Sequence, residues 1–322
     1  MEGGDGGREF GTYVSWALGV TTALLLILPM IFVVGKATHY SAYSSEGDYD
    51  GLAQLKDMRD GLEGDGYSIA NTMSTPMLVN DWKYPHRTML LVIAPEKPID
   101  ETEAESIYNF VTEMGGKVIV AADGTNANRL ASKFGVTYFD SPLLDENQYY
   151  ITENDDGTNQ YSWENVWGIG TMVEEAAEFG NDGCSAFDVD QFEDECALPV
   201  MFRKPTGMKF EQTERDREDP GHRDVIVISK ASPSAFIDLI GNGDSSDFRN
   251  PAPGDLALMI RADYPGIEVY DKVRAGQAIV GGDIGEVEVT GSIVFVSDPE
   301  AFSNMLWTDE VAQGEGIPRV CE

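Results

Sequence analysis

TMLLVIAPEKPIDETEAESIYNFVTEMGGKVIVAADG, residues Thr88 to Gly124, is the stretch that decides the fold of this chain. Two nearly continuous apolar runs, Met89 to Ala94 and Val118 to Ala122, frame a helical pattern. Runs of this kind are typical of strands buried on both faces of a parallel sheet. The stretch therefore predicts a βαβ unit.

The helix inside this unit carries its own start and stop signals. Asp100 is a favourable N-cap, and Glu103 stands three residues later, where a capping box places it. The i, i+3, i+4, i+7 spacing predicts one apolar stripe made of Ile107, Phe110, Val111 and Met114. The Gly115-Gly116 pair predicts the end of the helix, because glycine adopts the left-handed conformation without strain.

The composition and net charge limit the kinds of partner that the protein can bind. The chain has 322 residues, 42% of them hydrophobic, and 22 Lys and Arg against 56 Asp and Glu give a net charge of −34. Such a surface repels nucleic acid, so no nucleic-acid partner is expected. The acidic residues are spread along the whole chain. This favours adaptation to a salty medium, as in halophilic or marine archaeal proteins, over a surface for cationic partners.

The N-terminal region predicts a membrane anchor. Residues 1–12 are expected to be disordered. Residues 13–36 contain an uncharged apolar core long enough to span a bilayer, and residues 37–51 form a polar linker. A cleaved signal peptide is the competing interpretation, but its apolar region is normally shorter. We therefore expect a single-pass cell-membrane protein. The charges flanking the span do not set its orientation, and the candidate disulfide described next is the reason to expect residues 52–322 as one extracytoplasmic domain.

Within residues 52–322 the pattern changes at residues 140–222, which are rich in Asp, Glu, Asn and Gly and predict an acidic insertion or elaborated loop. Cys184 and Cys196 lie close together there and are disulfide candidates, with two unrelated thiols as the alternative. Short strands are expected around residues 138–139, 198–203, 225–228, 256–261 and 293–296.

Two predicted strands end in acidic residues, VIVAAD at Asp123 and VFVSD at Asp298. Ligands of open α/β sheets bind beyond the carboxyl ends of the strands, so these carboxylates are candidates for one crevice. The candidate crevice residues are Asp123, Gly124, Ser297, Asp298 and Asn304. Alternatively, Asp298 caps the helix that follows it and Asp123 organises its own turn.

A calcium loop is the one metal site that the sequence suggests. Its candidate ligands are Asp238, Asn242, Asp244 and Asp247, with Gly243 at the sixth position, where such loops turn sharply. Ile240 and Arg249 do not fit the ligand pattern, and an Asn-Gly turn is the alternative. Apart from this possible calcium site, no cofactor is expected.

Four segments together resemble one known family. They are SSEGDYDG with its following helix, the βαβ unit, SPSAFIDLIGNGD and GSIVFVSDPEAFSN. In this order they are similar to the domain-of-unknown-function 4350 family, a membrane-anchored relative of the class I glutamine amidotransferases. The resemblance implies a flavodoxin-like, three-layer α/β domain with a mostly parallel sheet, preceded by one transmembrane helix. Family members often carry a second span, so this chain is expected to be a single-span variant or truncated.

No complete catalytic motif accompanies this predicted fold. An amidotransferase needs a cysteine nucleophile on the turn after a strand, and the chain has Ala122-Asp123-Gly124 at that position. We therefore expect a non-enzymatic module that binds a protein partner or small ligand at the crevice. The alternatives are a hydrolase that uses paired Asp residues, with or without a metal, and a structural subunit of a membrane complex.

Overall fold

A computed structural model describes residues 55–70, 79, 82, 84–147, 149–153, 159–170, 200–247, 256–270 and 286–302, together with residue 21. Within these ranges no helix is both long and apolar enough to cross a membrane. The predicted anchor at residues 13–36 lies outside them, apart from residue 21. Residues 1–12, the linker 37–51, Cys184, Cys196 and Asn304 also lie outside the described residues.

The predicted βαβ unit is confirmed. Strand β1 (Met89–Ile93) is followed by helix α2 (Glu101–Thr112) and strand β2 (Lys117–Ala121), and the two strands pair in parallel. The capping box forms as expected: Asp100 Oδ1 accepts from the Glu103 amide at 2.8 Å, and the Asp100 amide donates to Glu103 Oε2 at 3.1 Å. Gly115 has φ +69° where the chain leaves the helix.

The remaining elements are mostly strands. The helices are α1 (Lys56–Gly64), α3 (Asn128–Ala131) and α4 (Glu214–Glu218). The strands are β3 (Val136–Asp145), β4 (Tyr149–Glu153), β5 (Asn159–Gly170), β6 (Val200–Arg203), β7 (Thr206–Phe210), β8 (Asp224–Lys230), β9 (Ala235–Ile237), β10 (Ala257–Tyr270) and β11 (Glu286–Val296).

These strands form one large mixed sheet, so the protein is α/β, but the expectation of a mostly parallel sheet is wrong. The main path runs β1-β2-β11-β10-β7-β3-β9, with β8 beside β10, and β4, β5 and β6 attached through the β5–β8 pairing. Only β1–β2 and β2–β11 pair in parallel; the other described pairings are antiparallel. The reason is connectivity, because among the described elements a helical crossover of the βαβ type joins β1 to β2 and the later strands lack one.

The acidic segment 140–222 is more ordered than a loop. Within its described parts lie the end of β3, all of β4 to β7, and α4. β7 pairs with β3 and β10 and so belongs to the main sheet. The loop prediction is wrong for β4, β5, β7 and α4, whereas β6 lies where a strand was expected, at residues 198–203. The local periodicity does not reveal β7, because its order comes from pairing with the distant strands β3 and β10.

Helix α2 packs on the sheet through a close backbone approach. Ile107, Phe110 and Val111 are fully buried in a core cluster with the β2 and β11 side chains Val118, Val120, Ile293 and Phe295. A Cβ atom on Gly291 of β11 would lie 1.9 Å from the Val111 carbonyl oxygen. The helix therefore packs this closely because residue 291 has no side chain.

Candidate functional site

The carboxyl ends of the three parallel strands lie side by side. Ala121 of β2 pairs with Ile93 of β1 on one side and with Val296 of β11 on the other. The segments that leave these strands therefore share one edge, which we call the carboxyl edge. Asp123 and Asp298, the two predicted crevice acids, leave neighbouring strands at this edge.

Asp298 is buried and its carboxylate is occupied by the backbone. The residue is 2% exposed. Its Oδ2 accepts from the Arg203 amide at 2.7 Å, and its Oδ1 accepts from the Glu300 amide at 2.8 Å. The second bond belongs to the short 3₁₀ helix Pro299–Phe302, which matches the capping interpretation. A buried carboxylate held in this way is positioned to join structural elements.

The environment of Asp298 also changes its protonation. Burial raises the pKa of Asp298 to about 7, and the negative charges of Glu300 and Asp123 act in the same direction. The two amide hydrogen bonds oppose the shift because they favour the charged form. A carboxyl group with a pKa near neutrality is a feature of many catalytic sites, and it also occurs in structural ones.

Ser297 lies at the part of the carboxyl edge that other strands bury. The residue has 0% exposure, and its hydroxyl has no hydrogen-bond partner among the described residues. Its amide donates to the Leu258 carbonyl at 3.0 Å, and its carbonyl accepts from the Thr206 amide at 3.1 Å. Strands β10 and β7 therefore flank Ser297, which cannot contact a ligand in this conformation.

The other part of the carboxyl edge is open. Asp123 is exposed, and a Cβ atom on Gly124 would lie 3.7 Å from Oδ1 of Asp140, which is also exposed. Neither carboxylate has a hydrogen-bond or ion-pair partner among the described residues. On the other side of β2, Ala94 adopts φ +46° while its amide donates to the Ala121 carbonyl at 2.8 Å. A left-handed alanine is strained, and such strain is concentrated at functional sites.

The predicted calcium loop is organised around one carboxylate. Asp238 is 4% exposed and accepts backbone amides from Ile240, Gly241, Asn242 and Gly243 at 2.8 to 3.3 Å. These bonds lower the pKa of Asp238 against the opposing effect of its burial. Asn242 and Asp244 each accept an amide from two residues further on, as in an Asx turn. Within the described ranges, no group of three or more acidic, His or Cys side chains could hold a metal ion.

The sequence did not reveal two of the groups at the carboxyl edge. Arg203 contributes through its amide, which no residue-type signal could indicate. Asp140 lies in the middle of β3, and its carboxylate comes close to Gly124 only in the folded domain. A polar cleft elsewhere, lined by Tyr108, Lys133 and Tyr264 among others, was also missed and is described below.

Comparisons with known proteins add little to this geometry. No protein-family model matches the chain. No curated protein matches it either. The chain is similar to a solved structure described as "mmIFT52 N-terminal domain", with a TM-score of 0.42 and 13% identity over 80% of this chain and 88% of that chain. A similarity at this TM-score carries no argument about fold or function.

Proposed function

We propose that this chain is a membrane-anchored, non-enzymatic module whose flavodoxin-like domain lies outside the cytoplasm and binds a protein partner or small ligand at the carboxyl edge. The anchor and the location come from the apolar residues 13–36 and from the family resemblance. The binding role comes from the edge itself, where three parallel strands end in register.

One observation carries the binding proposal: the left-handed Ala94 beside the open end of β2. An alanine at φ +46° is disfavoured relative to glycine, and it persists only where the surroundings impose it. The neighbouring carboxylates of Asp123 and Asp140 have no partner in the described structure. We therefore expect the bound group to be positively charged where it contacts this edge.

The experiment compares two charge reversals in the full chain. Asp123→Arg is expected to abolish co-purification of a partner from native membranes, because it places a cation at the proposed contact. Asp65→Arg is the matched control, since Asp65 is also exposed but follows α1. Equal recovery of the same partner with wild type and both variants would count against binding at the carboxyl edge.

The anchor is tested separately. The full chain is expected to remain in the membrane fraction after alkaline carbonate extraction, and a chain beginning at residue 41 is expected to be released. External protease is expected to digest the domain in intact cells. Protection of the domain until the cells are lysed would contradict the extracytoplasmic location.

The hydrolase alternative has one observation in its favour, the pKa of Asp298 of about 7. A carboxyl group that titrates near neutrality suits acid–base catalysis. Against it, both oxygens of Asp298 accept backbone amides and the side chain is buried, so a substrate cannot reach it. Turnover of any ester or phosphate substrate that is lost in Asp298→Asn and in Asp123→Asn would establish the alternative.

A further inference from the structure

A polar cleft of about 660 Å³ opens between α2, α4 and β10. Its walls include Tyr108, Lys133, Arg215, Arg223 and Tyr264, which come from well-separated parts of the chain. The carboxyl-edge residues do not line it, so it is a second site with its own chemistry.

Arg223 forms a fixed wall of this cleft. It is 5% exposed, and its Nε donates to Asp216 Oδ1 at 2.6 Å while its Nη2 donates to Asp216 Oδ2 at 2.5 Å. Its Nη1 donates to the Phe134 carbonyl at 3.1 Å and to the Tyr264 hydroxyl at 3.0 Å. The carboxylate of Asp216 therefore neutralises the guanidinium charge. The hydrogen bond from Arg223 also fixes the orientation of the Tyr264 hydroxyl.

Tyr264 has a hydrogen-bond donor that no described residue accepts. Its hydroxyl oxygen accepts from Arg223, but its own O–H has no acceptor among the described residues. The residue is only 4% exposed. Burial raises the pKa of Tyr264 to about 12, so the hydroxyl keeps its proton at neutral pH. A buried donor without an acceptor is costly, so an acceptor that enters the cleft beside Tyr264 would be bound favourably.

Tyr108 repeats this arrangement on α2. Its hydroxyl oxygen accepts from Nη1 of Arg215 at 3.3 Å, and its O–H also has no acceptor in the described ranges. The two tyrosines stand on either side of Phe134, whose ring centroid lies 5.2 Å from that of Tyr108 and 6.0 Å from that of Tyr264. Phe134 is fully buried beneath them, so the cleft itself presents the two phenolic donors.

Two cations complete the donor set. Arg215 is exposed, and no carboxylate among the described residues lies within 4 Å of its guanidinium, in a chain where acids outnumber bases 56 to 22. Lys133 Nζ donates to Glu101 and Glu105 at 2.7 Å each. An ammonium has three N–H donors, so one remains for the cleft.

We propose that this cleft binds a small oxyanion, a carboxylate or phosphate group, through Arg215, Lys133 and the hydroxyls of Tyr108 and Tyr264. Each of these groups donates hydrogen bonds, and an oxyanion offers several acceptors to them at once. Glu214 and Glu218 also line the cleft and repel anions. The site therefore suits one compact anionic group better than a polyanion.

The test is isothermal titration of the full chain in detergent, at pH 7.5 and constant ionic strength in potassium chloride. One series uses inorganic phosphate and a second uses acetate. Saturable binding of either anion, with half-saturation at about 1 mM, is expected. Binding of phosphate alone would identify a phosphate group as the ligand chemistry, and binding of acetate alone would identify a carboxylate. Absence of saturation by both anions would overturn the proposal.

Four variants connect any binding to these residues. Arg215→Gln is expected to weaken binding at least about tenfold, and Tyr264→Phe about three- to tenfold, because each removes a donor to a charged group. Glu218→Gln is expected to tighten binding, since it removes a repelling charge. Arg217→Gln is the matched control: this arginine lies on the same helix but donates to the Thr213 and Gln212 carbonyls. Unchanged binding in both Arg215→Gln and Tyr264→Phe, with thermal midpoints equal to wild type, would place the anion elsewhere and refute the site.

Discussion

Oδ2 of Asp298 accepts a 2.7 Å hydrogen bond from the backbone amide of Arg203, and this bond joins the segment after β11 to the last residue of β6. The next residue, Lys204, has φ +54° and donates its amide to the Glu164 carbonyl at 2.8 Å. One buried carboxyl group thus connects the parallel part of the sheet with the β4–β6 part. It also gives this junction a dependence on pH.

Stability is expected to fall as the pH rises through neutrality, because of Asp298. Its pKa is raised from 3.8 to about 7 in the folded state, so the fold favours the protonated form. Its contribution is complete below about pH 4 and is lost as the pH rises through 7. Urea unfolding at pH 5 and pH 8 should show wild type losing about 2 kcal/mol more than Asp298→Asn. Parallel pH profiles of the two proteins would contradict the assignment.

Asp216→Asn is expected to destabilise the fold by about 3 to 5 kcal/mol, because it leaves the buried guanidinium of Arg223 without its counter-charge. Burial opposes ionisation of Asp216, but hydrogen bonds from Arg223 and Thr213 lower its pKa to about 2. The contribution of Asp216 is therefore present above its ordinary pKa of about 4 and is lost as the pH falls towards 2. Denaturant unfolding at pH 7 measures the cost. Glu214→Gln, on the same helix but exposed, is the control and should change stability by less than about 0.5 kcal/mol.

Gly291→Ala is expected to destabilise the protein by about 1 to 3 kcal/mol, through overpacking. The new Cβ atom would lie 1.9 Å from the Val111 carbonyl oxygen, so α2 must move away from β11. Thermal unfolding of the variant checks this expectation. Gly221→Ala provides the comparison, because nothing lies within 4 Å of a Cβ atom there. Equal midpoints for the two variants would show that the helix adjusts without cost.

Asp100→Ala is expected to cost about 1 kcal/mol, because it removes one half of the capping box on α2. The first turn of the helix would then leave the Glu103 amide without its acceptor. Hydrogen exchange of the amides of residues 101–104 should accelerate relative to that of the buried strand β2. Asp65→Ala is the control, since Asp65 is also an exposed acid but begins no helix, and its exchange pattern should match that of wild type.

The parts of the fold that could be predicted from the sequence are those determined locally. The capping box of Asp100 and Glu103 depends on residues within one helix and was confirmed. The apolar stripe was confirmed for Ile107, Phe110 and Val111, whereas Met114 lies beyond the end of α2 and packs against the same core. β1 and β2 were placed to within one residue at each end, because runs buried on both faces are recognisable by themselves. The order of these elements along the chain was sufficient to predict the βαβ unit.

What could not be predicted depends on pairing between distant residues. β10 was expected at residues 256–261 but extends to Tyr270, because β11 pairs with it throughout. Pro265 and Gly266 favour a turn by composition, yet the strand passes them through a shift in register between Tyr264 and Ile267. The local sequence could not show whether the turn-forming Pro265-Gly266 pair or the pairing with β11 would determine the structure here.

The candidate site was predictable in part for the same reason. That ligands bind beyond the carboxyl ends of strands is a rule of open α/β sheets, and it singled out Asp123 and Asp298. That their strands are neighbours depends on the long-range pairing of β2 with β11 and was not predicted. The structure buries Ser297 and Asp298 beneath β7 and the end of β6, while Asp123 stays exposed. This difference could not be predicted, because it depends on where the acidic, aperiodic segment pairs with the sheet. The cleft of Tyr108 and Tyr264 was missed because its donors belong to elements that meet only in the folded domain.

The pairing of Lys117 with Ser292 has a consequence for the synthesis of the chain. β2 emerges from the ribosome early, and its partner β11 lies near the end of the described domain. At translation rates of 5 to 20 residues per second, the βαβ unit waits on the order of ten to thirty seconds for β11. During this interval an apolar strand edge is exposed, so protection by a chaperone is most valuable then. The last of the described strands to be made is thus the one that completes the parallel core.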